Sequence, residues 1–206
     1  MEMAIRCMSV LDQKCERALQ LDPRVKGSNG SVLNAYLYRG QYAKFLDSLP
    51  ALESSAFLLF HRGPGEFYLK DWSRAPDDFY RAFDLASSLY RRVGKALSAF
   101  LAHRGADGLQ ILRGLAREIA QRGVGDPEGT YEIAQSYVAL GDTASALRVL
   151  RSSVESGFFP YPYLTSGPLL EPLRKESEFA QILAISQRRY QAFRERFFSG
   201  TSHGGD

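Results

Sequence analysis

Helical periodicity interrupted at a nearly constant interval is the feature that most limits what this 206-residue chain can fold into. The clearest unit is GDPEGTYEIAQSYVALGDTASALRVLRSSVESG, residues 125–157. Asp126 is placed to cap a helix, Pro127 suits a first helical position, and Glu128 opposes the positive end of the helix dipole. Ile133, Ala134, Tyr137 and Val138 fall on one helical face, and Gly141 with Asp142 breaks the helix. A second helix follows, with Ala146, Leu147, Leu150 and Val154 inward. A lone pair of this kind cannot bury its apolar faces, so it must stack on others.

The same plan recurs along the chain. Residues 32–53, VLNAYLYRGQYAKFLDSLPALE, read as a helix, a turn at Gly40, and a helix with Phe45, Leu49 and Leu52 inward. In EFYLKDWSRAPDDFYRAFDL, Trp72 closes a short turn before the inner-face residues Ala75, Phe79 and Ala82. Residues 89–121 turn at His103-Arg104-Gly105 and then present Gly108, Leu112 and Leu115. The early stretch LDQKCERALQLDP reads as the second helix of a first pair, ended by Asp22-Pro23. The residues that open the inner face of each second helix are Leu11, Phe45, Ala75, Gly108 and Ala146, at spacings of 34, 30, 33 and 38.

A helix–turn–helix plan with a period near 34 residues resembles the tetratricopeptide repeat. The resemblance covers residues 5–156 and is most specific in EFYLKDWSRAPDDFYRAFDL and YEIAQSYVALGDTASALRVL. It implies an all-α, right-handed superhelical solenoid of about four and a half helix pairs. On this reading residues 1–156 form the repeats, the first of them partial. Residues 157–198 form a proline-rich closing segment and a capping helix, and 199–206 a disordered tail of small polar residues. The partial first repeat suggests a portion of a longer array, a larger protein or a homo-oligomer.

Two stretches depart from the plan. Gly63-Pro64-Gly65 falls where a first helix belongs, so that helix is expected to kink or to split in two. GFFPYPYLTSGPLLEPLR, residues 157–174, carries Pro160, Pro162, Pro168 and Pro172, which stop a helix from continuing. It is similar to segments that close other bacterial repeat arrays. Phe158, Phe159, Tyr161, Tyr163, Leu169, Leu170 and Leu173 are predicted to fold back over the open end of the array. The last helix then shows Phe179, Ile182, Leu183, Tyr190, Phe193 and Phe197 as one stripe. Its Arg188, Arg189, Arg194 and Arg196, against Glu195, read as a solvated face that compensates the helix dipole.

A hydrophobic share of 45% with 24% charged residues fits a soluble protein with a real core. A net charge of +3 gives no support to nucleic-acid binding. Cys7 and Cys15 lie eight positions apart in one helical segment, roughly 12 Å along the axis, too far for a disulfide. Reduced thiols, no secretory pattern and no apolar run of about 20 residues lead to a cytoplasmic expectation with no membrane contact.

The residues suggest no enzyme: no catalytic group, metal site or cofactor site is predicted. His61, His103 and His203 are scattered, without a ligand cluster at metal spacing. GVGDPEG lacks the strand, lysine and hydroxyl of a nucleotide loop, and Asp77-Asp78 reads as dipole compensation. The repeat resemblance implies instead that first helices line a concave groove for a peptide or adjoining domain. By register that groove would include Asn34, Leu37, Tyr38, Phe60, Phe67, Tyr68, Leu97, Phe100, Tyr131 and Gln135. Family members that grip an acidic chaperone tail use a lysine, arginine and asparagine clamp. Asn34 fits such a clamp, but Gly30 stands where its lysine would be. The implied function is a protein-binding scaffold. A regulatory or sensor module of a larger bacterial signalling or transcription protein is the alternative, and an RNA-binding helical repeat a weaker one.

Overall fold

A computed structural model of the chain describes residues 88–122 and 126–198, together with Tyr36, residues 41–48, Arg62, Gly63 and Glu66. Every regular element among the described residues is helical. In chain order these are α1 (Tyr42–Ser48), α2 (Ser88–Leu101), α3 (Gly105–Arg122), α4 (Pro127–Ala139), α5 (Thr143–Ser156) and α6 (Tyr161–Ser166). A 3₁₀ helix (Pro168–Leu173) and the long α7 (Ser177–Phe198) complete them.

Two helix pairs, α2 with α3 and α4 with α5, are each joined by a three-residue turn. Both turns use one backbone device. The N–H of Arg104 bonds back to the Ala99 carbonyl at 2.8 Å, and that of His103 to Phe100 at 2.9 Å. In the second pair Asp142 bonds to Tyr137 at 2.9 Å and Gly141 to Val138 at 3.0 Å. This is the Schellman closure, which needs one residue in the left-handed region. Gly141 takes that place at φ 80°, as the break predicted there requires, and His103 takes it at φ 60°. A third copy ends α5, where Phe158 bonds to Ser153, Gly157 bonds to Val154, and Gly157 sits at φ 126°.

Side-chain caps open the second pair. The Asp126 carboxylate accepts from the Glu128 N–H at 3.1 Å, and Asp142 accepts from the Ser145 N–H at 3.0 Å. Burial pushes the Asp142 carboxyl up. The N–H and hydroxyl of Ser145 and the Arg113 guanidinium outweigh that and hold it below its ordinary value.

The pairs stack through α4, which lies against both α2 and α3 as well as its own partner α5. Nine of its thirteen residues are buried, so it is enclosed on nearly all sides rather than on one stripe. The predicted inner faces are interior: Ile133, Ala134, Tyr137, Ala146 and Leu150 are fully buried, with Leu112 and Leu115 from α3 beside them. Where α2 crosses α3 the backbones nearly touch. A Cβ on Gly108 would lie 2.7 Å from the Ala96 carbonyl oxygen and 2.7 Å from Leu140 Cδ2.

The closing segment folds onto this stack. Leu164, Leu170 and Leu173 are fully buried in the same core, and Phe158, Phe159 and Tyr163 pack against it. The 3₁₀ helix lies on α4 and α5, and α7 runs along α5 and α6. Phe179 and Ile182 anchor α7, while Ala180, Gln181, Ala184, Gln187 and Gln191 face solvent. Phe45 on α1 is fully buried, as its register predicts. Arg62, Gly63 and Glu66 are helical on both sides of the predicted break; Pro64 and Gly65 lie outside the described residues. Tyr42 on α1 comes within electrostatic reach of Tyr131 on α4. A strictly nearest-neighbour array would hold those two helices apart.

Replacing Gly108 by alanine should lower stability by about 1–3 kcal/mol in urea unfolding, because two backbones must separate. Gly105→Ala, whose Cβ meets only Phe100 at ordinary contact distance, should be neutral or stabilise by up to about 1 kcal/mol. At the first turn, His103→Gly should raise the unfolding midpoint. His103→Val should cost about 1–2 kcal/mol, since a β-branched residue resists φ 60°.

Candidate binding surface

Of the ten groove positions read from sequence, four fall in the described residues. Leu97 and Phe100 lie on α2, and Tyr131 and Gln135 on α4, two helices that pack together. Asn34, Leu37, Tyr38, Phe60, Phe67 and Tyr68 lie outside the described residues.

The four do not form an open lining. Tyr131 is 0% exposed and Leu97 6%, so both are core side chains that present no surface to a partner. Phe100 and Gln135 are half-buried and keep solvent contact. The Gln135 side-chain N–H donates to the Tyr131 hydroxyl at 3.0 Å, which gives the buried phenol a partner. Burial pushes the Tyr131 phenol well above its usual range, and the nearby Tyr42 and Glu132 raise it further. Tyr131 is therefore a neutral, hydrogen-bonded core phenol.

What covers Tyr131 is the closing segment. The Phe158 ring lies 5.0 Å from the Tyr131 ring, tilted by 44°. The aromatic residues that follow Gly157 thus seal one end of the predicted groove. Sequence register could not show this, because it assigns Tyr131 a face of α4 without knowing that the chain returns to that face 27 residues later.

No protein-family model matches the chain, and no curated protein matches it. Among the described residues, no three His, Cys, Asp or Glu side chains are grouped so as to hold a metal ion. No helix among them is long and apolar enough to cross a membrane. His103 has the conformational role given above. His61, His203, Cys7 and Cys15 lie outside the described residues.

Polar ties run across the helix boundaries on the outside. Arg92 of α2 meets Glu118 of α3 at 2.6 Å, and Arg113 of α3 meets the Asp142 cap of α5 at 3.3 Å. Arg151 of α5 reaches Glu178 of α7 at 3.3 Å and Gln181 at 3.2 Å. Exposed pairs of this kind contribute at most about 1 kcal/mol each, so their main effect is on register.

Arg189 departs from the sequence reading. It is exposed, as expected, but does more than compensate its own helix. Its guanidinium donates to the Val154 and Glu155 carbonyls, the latter at 2.7 Å, and so satisfies the C-terminal end of α5. The same guanidinium lies 5.4 Å from the centre of the Phe159 ring.

Truncating the seal tests its role. Phe158→Ala should lower stability by about 1–3 kcal/mol, through lost burial and the lost ring pair with Tyr131. Phe193→Ala, at an exposed position, should change it by less than about 1 kcal/mol in the same chemical unfolding measurement.

Proposed function

We propose that this chain is a non-catalytic protein-interaction module, a right-handed array of tetratricopeptide-type helix pairs closed by a capping helix. The observation that carries the reading is the way consecutive pairs stack. Each pair closes with the same three-residue turn, and the first helix of the second pair, α4, packs against both helices of the first. Obligatory stacking of short helical hairpins is the physical basis of this repeat class.

A partner, either a peptide or an adjoining domain, would bind on the face of the first helices. Phe100 and Gln135 are the described candidates that reach solvent there. Leu97 and Tyr131 support that face from beneath. A groove of this kind would be short and bounded by the closing segment, which suits a few apolar side chains of an extended peptide.

Panning a random 16-residue peptide library on the full chain would test this directly. Enriched peptides should carry apolar anchors and bind the wild-type chain measurably in fluorescence anisotropy. Phe100→Asp should weaken them about tenfold or more, while Arg148→Gln on the exposed side of α5 should leave them unchanged. Failure to enrich any peptide, or enrichment of peptides indifferent to Phe100→Asp, would remove the groove as the binding surface.

A further inference from the structure

The second half of α7 is locally basic. The sequence has 26 Lys and Arg against 23 Asp and Glu. Arg188, Arg189, Arg194 and Arg196 with Glu195 account for the difference, since setting them aside leaves 22 of each sign. That local net charge of +3 falls within nine consecutive positions of one helix.

The same stretch is where the core lets go of α7. Along its buried side Phe179, Ile182 and Ser186 are fully covered, Tyr190 is half-buried, and Phe193 is 44% exposed. Phe193 is the one large hydrophobic side chain exposed among the described residues. With 22 residues α7 is about 33 Å long, against about 21 Å for the 14-residue α5 beneath it, so its far end overhangs.

The overhang is buttressed from below. Phe159 meets Phe193 edge-on at 6.4 Å, and Tyr161 lies 6.5 Å from Tyr190. Arg189 ties the helix to the end of α5, while Arg194 lies 6.0 Å from the Tyr190 ring centre. Arg188 and Arg196 are exposed, Arg196 one turn beyond Phe193 and Arg188 about 140° away from it round the helix. The result is a braced helix end that carries an exposed ring together with arginines. Aromatic and arginine side chains in that arrangement are the usual energetic centres of protein interfaces, and guanidinium groups match carboxylates in a bidentate fashion.

We propose that residues 188–196, around Phe193, dock an acidic segment of another protein that carries an apolar side chain among its carboxylates. Charge complementarity selects an acidic occupant, and the single exposed ring selects one with an apolar anchor. A nucleic-acid strand fits less well. Arg189 is already committed to backbone carbonyls, Glu195 stands among the other arginines, and the residues leading into α7 mix signs, with Glu171 paired to Arg174 and Glu178 to Arg151. The first half of α7 carries no Lys or Arg for a phosphate backbone to follow. A second copy paired antiparallel through this stretch would set arginines against arginines. This surface is separate from the Phe100 face and does not depend on the groove reading.

The test uses the full chain and three fluorescein-labelled probes in anisotropy titrations at low salt. One is a dodecapeptide of aspartate and glutamate with a central Leu-Phe pair; the second has Ser-Ser in place of that pair; the third is a 15-mer of oligothymidylate. The Leu-Phe peptide should bind about tenfold or more tightly than the Ser-Ser peptide, and added salt should weaken it. Phe193→Ser should abolish that preference, and the triple variant Arg188→Gln, Arg194→Gln, Arg196→Gln should weaken binding at least about tenfold. Phe100→Asp should leave it unchanged. Circular dichroism of each variant checks folding, and the comparison of the two peptides on the wild-type chain needs no variant. Equal affinity for both peptides would mean plain charge attraction and overturn the proposal. So would tighter binding of the oligonucleotide, indifference to the triple variant, or no binding of any probe.

Discussion

The fold depends on how its helices stop. Three times a helix ends with a residue in the left-handed region and the same pair of backward hydrogen bonds, at His103, Gly141 and Gly157. That closure satisfies carbonyls that would otherwise be orphaned, and it reverses the chain within three residues. A reversal this tight sets the next helix antiparallel and in contact at once, so that apolar faces on α2 and α3, or on α4 and α5, meet without a long loop. Gly108 lets the first of these pairs approach until a Cβ would not fit. Remove the closures and the helices keep their propensity but lose the geometry that buries their faces.

From this constraint follows the position of α4. A helix that must pack on its own partner and on both members of the preceding pair has little surface left for solvent. Its polar groups therefore need internal partners. Tyr131 takes Gln135, Ser136 donates to the Glu132 carbonyl, and Thr130 to that of Asp126. The sealing ring of Phe158 is the last consequence, because the apolar side of α4 toward the chain end has no further pair to cover it. A closing segment of half-buried aromatics over three fully buried leucines does what another repeat would otherwise do.

What could be read in the sequence was whatever is decided within one turn of helix or one reversal of chain. Asp126 as a cap, Gly141 with Asp142 as a break, Gly157 as a stop, and the inward set Ala146, Leu147, Leu150 and Val154 all follow from local chemistry and spacing. Leu170 and Leu173 of GPLLEPLR were legible as lid residues because Pro168 and Pro172 bar an ordinary helix there, whereas Leu169 is only half-buried. Long-range facts were not legible. Periodicity put Tyr131 on a groove face, but burial under Phe158 depends on a return of the chain that no window of residues contains. Arg189 looked like part of a cationic helix end, yet its partners are carbonyls 34 and 35 positions earlier. His103 resembled a surface histidine; its backbone angle, not its imidazole, is what the turn uses.

The aromatic stretch after Gly157 gains a second meaning when packing and charge are considered together. Phe158 points its ring at the core, against Tyr131, whereas Phe159 and Tyr161 meet the rings on α7. One short segment thus packs over the last helix pair and holds the far half of α7 out beyond it. Past Ser186 the last helix is only partly covered, with Tyr190 and Arg194 half-buried and Phe193 exposed. It continues for three more turns, and those turns carry four arginines and an exposed phenylalanine. Helix length beyond the core, rings spent on bracing it, and charge gathered upon it are separate features of the sequence. They converge on one surface, which also ties α7 to the end of α5 through Arg189.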